Sequence, residues 1–319
     1  PWVADVPSRE DQAVAAELYR GERGERDFQC LRERGDEVKD VTYYPGCSLH
    51  GTAREYDESF RGVSKLLDIG LHELEDWTCC GSTSAHCSDE ALAVALPVRN
   101  LRIAEKHDRE MVVPCVACYS RFKAAEAEAK EHPEYLPSPY EGKVSVRYAL
   151  DFFCDAGMIE ELKAKIVKPL TGLKVACYYG CLAVRPPNLT GVEHYENPEH
   201  MDRLMEMLGA EAVPWSYKTD CCGASLVMTR TDIVVNLSQR ILSMALEAGA
   251  DCIVTGCTMC HANLDTRQAG LTAQEGKTEI PVFYFTELMG VAMGHKEVRK
   301  WLARHLTDPI KLLSNKELL

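Results

Sequence analysis

A cysteine pattern occurs twice in this chain, and its repetition constrains the fold more than any other feature. In the first copy, thirty-one residues separate Cys47 from the adjacent pair Cys79–Cys80; Gly81 follows, and the copy closes with Cys115-x-x-Cys118. In the second, thirty-nine residues separate Cys181 from Cys221–Cys222, Gly223 follows, and the closing pair is Cys257-x-x-Cys260. Thirty-four residues lie between Cys80 and Cys115, and again thirty-four between Cys222 and Cys257. Self-similarity of this order means one structural unit built twice.

The segments between the cysteines repeat too. Short apolar runs predict strands at Val41–Tyr44, Leu71–Leu74 and Met111–Val113, and again at Leu173–Ala176, Ala212–Trp215 and Cys252–Thr255. Val144–Tyr148 has a late counterpart in Ile280–Tyr284. Helical patterns fall between them, near Glu55–Leu67, Ala91–Glu105, an Ala/Glu-rich stretch through Lys130, Pro198–Leu208 and Ile233–Ala248. Alternating strand and helix predicts an α/β fold: two pseudo-symmetric Rossmann-like halves with parallel sheets, over residues 41–168 and 169–319. Residues 1–40, with the charged run Gly21-Glu22-Arg23-Gly24-Glu25-Arg26, are expected to form a partly helical arm. In each half the cysteines fall just past the carboxyl ends of strands, where open α/β sheets place their sites.

Composition narrows the chemistry. A net charge of −13, with no basic tract, argues against nucleic acid as a partner. No apolar run approaches the ~20 residues that span a bilayer, and the start of the chain does not read as a signal segment. Fifteen cysteines in a chain of 319 residues, an odd number, fit metal ligands in a reducing cytoplasm better than a secreted disulfide scaffold.

Thiols arranged this way suit a particular kind of metal site. A C-x-x-C at a strand–helix junction aims two sulfurs at one point, and the helix N-terminus favours their thiolate forms. Adjacent cysteines point apart along extended backbone but serve neighbouring metals from a tight turn, which the following glycine permits. Five thiols exceed the four ligands of a zinc or cubane site and point to a larger or irregular iron–sulfur cluster. Zinc would use four of the five and leave the adjacent pair unexplained, and the ferredoxin spacing C-x2-C-x2-C-x3-C-P is absent.

The pattern C-x31-C-C-G-x33-C-x-x-C, followed by C-x39-C-C-G-x33-C-x-x-C, resembles the duplicated CCG domain of the heterodisulfide reductase B subunit over about residues 41–290. The resemblance implies a noncubane [4Fe–4S] cluster on each motif. Cys47, Cys79, Cys80, Cys115 and Cys118 would ligate one; Cys181, Cys221, Cys222, Cys257 and Cys260 would ligate the other. It also implies reductive cleavage of a small-molecule disulfide, with electrons from a ferredoxin-like C subunit fed by a flavin-containing A subunit. The substrate is expected between the two halves. Relatives in electron-bifurcating, aromatic-CoA and fumarate or succinate oxidoreductase complexes imply the alternative of a relay that conducts electrons without cleaving anything. One departure bears on this choice: Leu182 stands where methanogenic members carry a histidine.

Lesser candidates lie nearby. His261, next to Cys260, is a candidate proton donor or hydrogen-bond partner for a cluster. Arg185, four residues past Cys181, is a candidate contact for an anionic substrate. Cys177 forms C-x3-C with Cys181 and rivals the motif cysteines as a ligand, although its position inside a strand favours packing. Cys87, Cys154 and Cys252 are expected in the core and Cys30 in the exposed arm.

Overall fold

The computed structural model describes residues 40–82, 84–268 and 279–319. The expected arm, Asp40 apart, lies outside the described residues, as does Cys30. β1 (Asp40–Tyr43), β2 (Gly70–Glu73), β3 (Met111–Val113) and β4 (Val146–Tyr148) form a four-stranded sheet in the order β2-β1-β3-β4. β5 (Lys174–Tyr178), β6 (Glu211–Ala212), β7 (Cys252–Thr255) and β8 (Val282–Tyr284) form the second, in the matching order β6-β5-β7-β8. Every pairing is parallel, as the alternation of strand and helix predicts. Even the register repeats. Thr42 pairs with Met111 and Ala176 with Ile253, at the same distances ahead of the following cysteines.

The strands follow from local chemistry. β3 and β7 are apolar and buried along their whole length, the pattern of strands covered by helices on both faces. β6 ends sooner than the apolar run Ala212–Trp215 predicts, because Pro214 has no N–H to give to a ladder. Trp215 leaves the sheet and donates its indole N–H to Cys177 O at 3.0 Å. Among the helices, Arg54–Leu66 buries Tyr56, Phe60 and Val63 on one stripe. Glu90–Ala104 begins where the Asp89 carboxylate accepts the Leu92 N–H at 2.6 Å, a side-chain cap on an otherwise unpaired donor.

Each half lends a helix to the other. Helix Arg54–Leu66 packs on helix Phe285–Ala292, with Ser59 Oγ 2.6 Å from Thr286 Oγ1 and the Tyr56 ring stacked on Tyr284 at 4.2 Å. In mirror fashion, helix His200–Met207 packs on helix Ala149–Phe153, with His200 Nδ1 3.4 Å from Asp151 Oδ1. The C-terminal helix Val298–Leu302, on which the sequence patterns are silent, adds to the first of these joints, and Pro309–Asn315 packs behind it. Trp301 is fully buried against Gly62 and Gly290, where a Cβ would stand 2.8 and 2.5 Å from its ring.

A buried ion pair fixes this C-terminal segment. His305 Nε2 lies 2.8 Å from Glu287 Oε1, and neither side chain touches solvent. The second Glu287 oxygen accepts the Tyr284 N–H at 2.9 Å and starts the helix Phe285–Ala292. Burial opposes the charge on His305, but the facing Glu287 carboxylate outweighs it, with Asp265 and Glu55 adding, and its pKa is pushed up to about 9. The folded state thus holds this proton more tightly than the unfolded chain, where the pKa is about 6.5. The stabilisation is therefore complete below about pH 6.5 and is lost as pH rises through about 9. Removing one partner of a buried pair costs about 3–5 kcal/mol. Urea unfolding of His305→Ala should show a loss of that order at pH 6, and a smaller gap from the parent protein above pH 9.

Candidate metal centre

The strand order brings the cysteines together. β1 is flanked by β2 and β3, so the loops at the carboxyl ends of three neighbouring strands meet. Cys47 follows β1, Cys79 and Cys80 follow β2, and Cys115 ends β3 as the residue capping helix Val116–Glu131, whose first turn holds Cys118. The second half does the same with Cys181 after β5, Cys221 and Cys222 after β6, and Cys257 capping helix Thr258–Thr266 with Cys260 in its first turn. All the described cysteines are free thiols.

Within each set the sulfurs are neighbours. Cys80 Sγ is 3.2 Å from Cys118 Sγ, and Cys79 Sγ is 4.0 Å from Cys47 Sγ. In the second set Cys222 Sγ is 3.5 Å from Cys260 Sγ, and the Cys181 thiol is hydrogen-bonded to Cys221. Among the described residues, no three Cys, His, Asp or Glu side chains close on one point as the ligands of a single ion do. The thiols of each set instead touch one another in a chain of contacts, with Cys118 between Cys80 and Cys115 and Cys260 between Cys222 and Cys257.

Glycine makes this approach possible. Gly46 and Gly180, each just before the first cysteine of its set, hold left-handed φ angles of +70° and +68°. A Cβ at Gly46 would stand 3.1 Å from Cys118 Sγ, and one at Gly180 would stand 2.9 Å from Cys260 Sγ. Gly81 and Gly223, just past the adjacent pairs, are also left-handed, at +75° and +78°.

The electrostatics call for a cation. The hydrogen bond from Cys47 holds Cys79 down to about 2, while Cys47 itself is pushed far up by that same bond, by burial and by neighbouring thiolates. In the second set the bond from Cys181 brings Cys221 down to about 6. Hydrogen bonding by Cys118 brings Cys115 to about 6 against the effect of burial. Thiols this close cannot all ionise beside one another in water-poor surroundings, and positive metal centres remove the conflict. The donor set therefore fits an iron–sulfur cluster. Each set also has an open and a closed side. Cys47, Cys79 and Cys221 are exposed and Cys181 is half-covered, whereas Cys80, Cys115, Cys118, Cys222, Cys257 and Cys260 are buried.

A tyrosine supports each set, and sequence reading missed both. Tyr44 donates its hydroxyl to Thr78 O at 2.7 Å, and Tyr178 donates to Asp220 O at 2.6 Å. Those carbonyls belong to the residues just before Cys79 and Cys221, and each tyrosine stands three residues before the first cysteine of its set. The matching offset was the available signal.

The lesser candidates settle differently. His261 is buried; its Nε2 pairs with Val282 O at 3.0 Å and its ring stacks on Tyr284 at 4.2 Å. Burial, with the charge on His305, holds it neutral well below its ordinary pKa. Arg185 donates through Nη1 and Nη2 to Thr219 O and Oγ1, at 3.1 and 3.2 Å, bracing the loop that leads to Cys221. Cys177 is fully buried in β5, and burial raises its pKa well above the ordinary thiol value. Cys154 and Cys252 are buried, and Cys87 is exposed rather than in the core. Where the halves meet, Tyr56, Tyr148, Tyr284 and Phe285 are buried, and a Cβ on Gly256 would collide with Tyr148 Oη. Aromatic rings thus occupy the space between the halves in which a substrate is expected from the sequence.

Fold and thiol geometry together define a duplicated cysteine-rich protein of the iron–sulfur, electron-transfer class. The family model for the CCG cysteine-rich domain matches residues 41–123 and 175–265, and the chain belongs to that family. It is 31% identical over 283 residues to the 8-methylmenaquinol:fumarate reductase membrane anchor subunit of Wolinella succinogenes, covering 86% of this chain and 99% of the relative. It is 27% identical over 288 residues to the B subunit of the ferredoxin:CoB-CoM heterodisulfide reductase of Methanosarcina mazei, covering 86% of this chain and 96% of that one. A protein of Archaeoglobus profundus that is itself like the heterodisulfide reductase B subunit is 28% identical over 267 residues, 78% of this chain and 89% of its own. Among solved structures, a hypothetical protein from Helicobacter pylori shares the fold with a TM-score of 0.64 at 9% identity; the match covers 95% of this chain and 58% of that one. No helix among the described residues is long and apolar enough to cross a membrane.

Gly180→Ala should empty one set of thiols, leaving roughly half the iron of the parent after anaerobic purification, since a displaced ligand weakens a metal site. Gly172→Ala is the control: its φ of +82° imposes similar strain, but a Cβ there meets nothing within 4 Å. It should lose stability, by about 1–2 kcal/mol, and keep its iron.

Proposed function

We propose that the chain is the iron–sulfur subunit of a heterodisulfide reductase-like complex. Each half, 41–168 and 169–319, holds one noncubane [4Fe–4S] cluster, on Cys47, Cys79, Cys80, Cys115 and Cys118 in the first and Cys181, Cys221, Cys222, Cys257 and Cys260 in the second. When bound, these clusters supply one-electron storage and transfer. The subunit's task is to reduce a small-molecule disulfide, R–S–S–R′ + 2e⁻ + 2H⁺ giving RSH and R′SH. Electrons come from a ferredoxin-like C subunit and a flavin-containing A subunit, whose docking the acidic surface, with a net charge of −13, would steer.

The observation that carries this reading is the closeness of two thiol sets with opposite faces. Cys115 Sγ of the first set lies 3.5 Å from Thr258 Oγ1, between Cys257 and Cys260 of the second, while Cys79 and Cys221 are exposed. Two one-electron sites in series suit a two-electron reaction with a substrate that reaches an exposed thiol edge. The buried stems of the sets, pinned by Tyr44 and Tyr178, hold the sulfurs in place and lower the entropic cost of binding metal and substrate. A second reading has its own support. The rings of Tyr56, Tyr148 and Tyr284 fill the boundary between the halves, and the family resemblance implies a histidine where this chain has Leu182. Together with the fumarate reductase relative, this favours a relay passing electrons to a partner.

Anaerobic purification followed by EPR, with and without small thiols, tests the reading. A new paramagnetic signal when thiol is added to the oxidised protein is expected for the reductase. Clusters that ignore every thiol, in a protein that still passes electrons, establish the relay. Cys79→Ser and Cys221→Ser should each abolish disulfide reduction by the complex; full activity in both would sink the proposal.

A further inference from the structure

The two sets of thiols copy one design, yet the uncharged side chains that touch them differ, and the differences come from one helix. Thr258 follows Cys257 in the second C-x-x-C, where the first copy has Val116 after Cys115. Its hydroxyl reaches across to the other half: Thr258 Oγ1 lies 3.5 Å from Cys115 Sγ, and both residues are buried. Asn263, three residues past Cys260, stands where the first copy has Arg121. Its Nδ2 lies 3.5 Å from Cys222 Sγ and 3.3 Å from Cys222 O, also in the interior. Helix Thr258–Thr266 therefore offers one polar group to each set. At the matching positions, helix Val116–Glu131 carries an apolar side chain and a half-buried arginine.

A hydroxyl or an amide N–H beside a thiolate can only act as donor, because the thiolate has no proton to give. Such a bond to a ligand sulfur stabilises the more negative, reduced state of an iron–sulfur centre and raises its reduction potential. Burial keeps water from supplying a substitute. We infer that Thr258 and Asn263 are positioning residues that set the potentials of the two centres separately, Thr258 for the first half and Asn263 for the second. The inference rests on the reading that each set of five thiols holds an iron–sulfur cluster. It adds that the second half controls the driving force at both ends of the electron path. A single helix would then act on the potentials of both sets.

The test uses the full chain, purified anaerobically, in four forms: parent, Thr258→Val, Thr258→Ser and Asn263→Leu. Thr258→Val keeps the shape and removes the hydroxyl; Thr258→Ser keeps the hydroxyl. Iron content is measured first, and each form is then titrated potentiometrically with EPR detection. Two midpoints are expected for the parent. Thr258→Val should lower one of them, with the reduced-to-oxidised ratio at a fixed potential falling about five-fold, the effect of one ordinary hydrogen bond. Asn263→Leu should lower the other by a similar factor, and Thr258→Ser should match the parent. Should Asn263→Leu fail to retain iron, Asn263→Ser, too short to reach Cys222, takes its place. Parent-like midpoints in iron-replete variants, or equal movement of both midpoints in each variant, would overturn the inference. A parent protein with no iron–sulfur signal would instead overturn the reading beneath it, so the two failures are distinguishable.

Discussion

Five thiols can crowd around one small space only if the backbone can come within van der Waals contact of sulfur, and that constraint organises the rest of the molecule. It is met at Gly46 and Gly180, where a Cβ would press on Cys118 or Cys260 and where the left-handed φ suits glycine. The parallel order β2-β1-β3, repeated as β6-β5-β7, supplies the other half of the solution. Three adjacent strand ends deliver three loops to one spot, and two of those loops each carry a pair of cysteines. Hydrogen bonding from Cys118 and the helix N-terminus behind Cys115 then favour the charged form of that sulfur. Neither the sheet nor the turns would bring these sulfurs together alone.

Much of this was legible in the sequence, for identifiable reasons. Cysteine is scarce and chemically distinctive, so equal spacings such as that from Cys80 to Cys115 and from Cys222 to Cys257 carry information that spacings of leucine would not. The strands Met111–Val113 and Cys252–Thr255 were readable because short β-branched runs flanked by helical patterns suit few other structures. What escaped was fixed by tertiary contact. Tyr44 reads only as the end of a strand, and nothing local shows that the hydroxyls of Tyr44 and Tyr178 end on Thr78 and Asp220. His261 looked poised beside Cys260, but its ring is held by Val282 and Tyr284, from a strand distant in sequence. Arg185 looked free for an anion and is instead a brace for Thr219. The helices after Tyr284 have too few turns to announce themselves, and Trp301 acquires its role from glycines on two other helices.

The two halves differ most in the side chains around otherwise matching sulfurs. Duplication supplies equal scaffolds; divergence at positions such as Val116 and Thr258 lets each environment be set separately. The C-terminal segment is a further asymmetry. Its His305–Glu287 pair and Trp301 reinforce the joint made by helices Arg54–Leu66 and Phe285–Ala292.

The exchange of helices between the halves also bears on origin. The face of Arg54–Leu66 that carries Tyr56 and Ser59 packs on Tyr284 and Thr286 in the other copy. The reciprocal contact at His200 and Asp151 has the same form. Before any duplication, a chain of one such unit would have made these contacts only by pairing with a second molecule of its own kind. The gene fusion that joined two units would have turned a concentration-dependent association into a permanent one, and freed each copy to change its residues independently of the other.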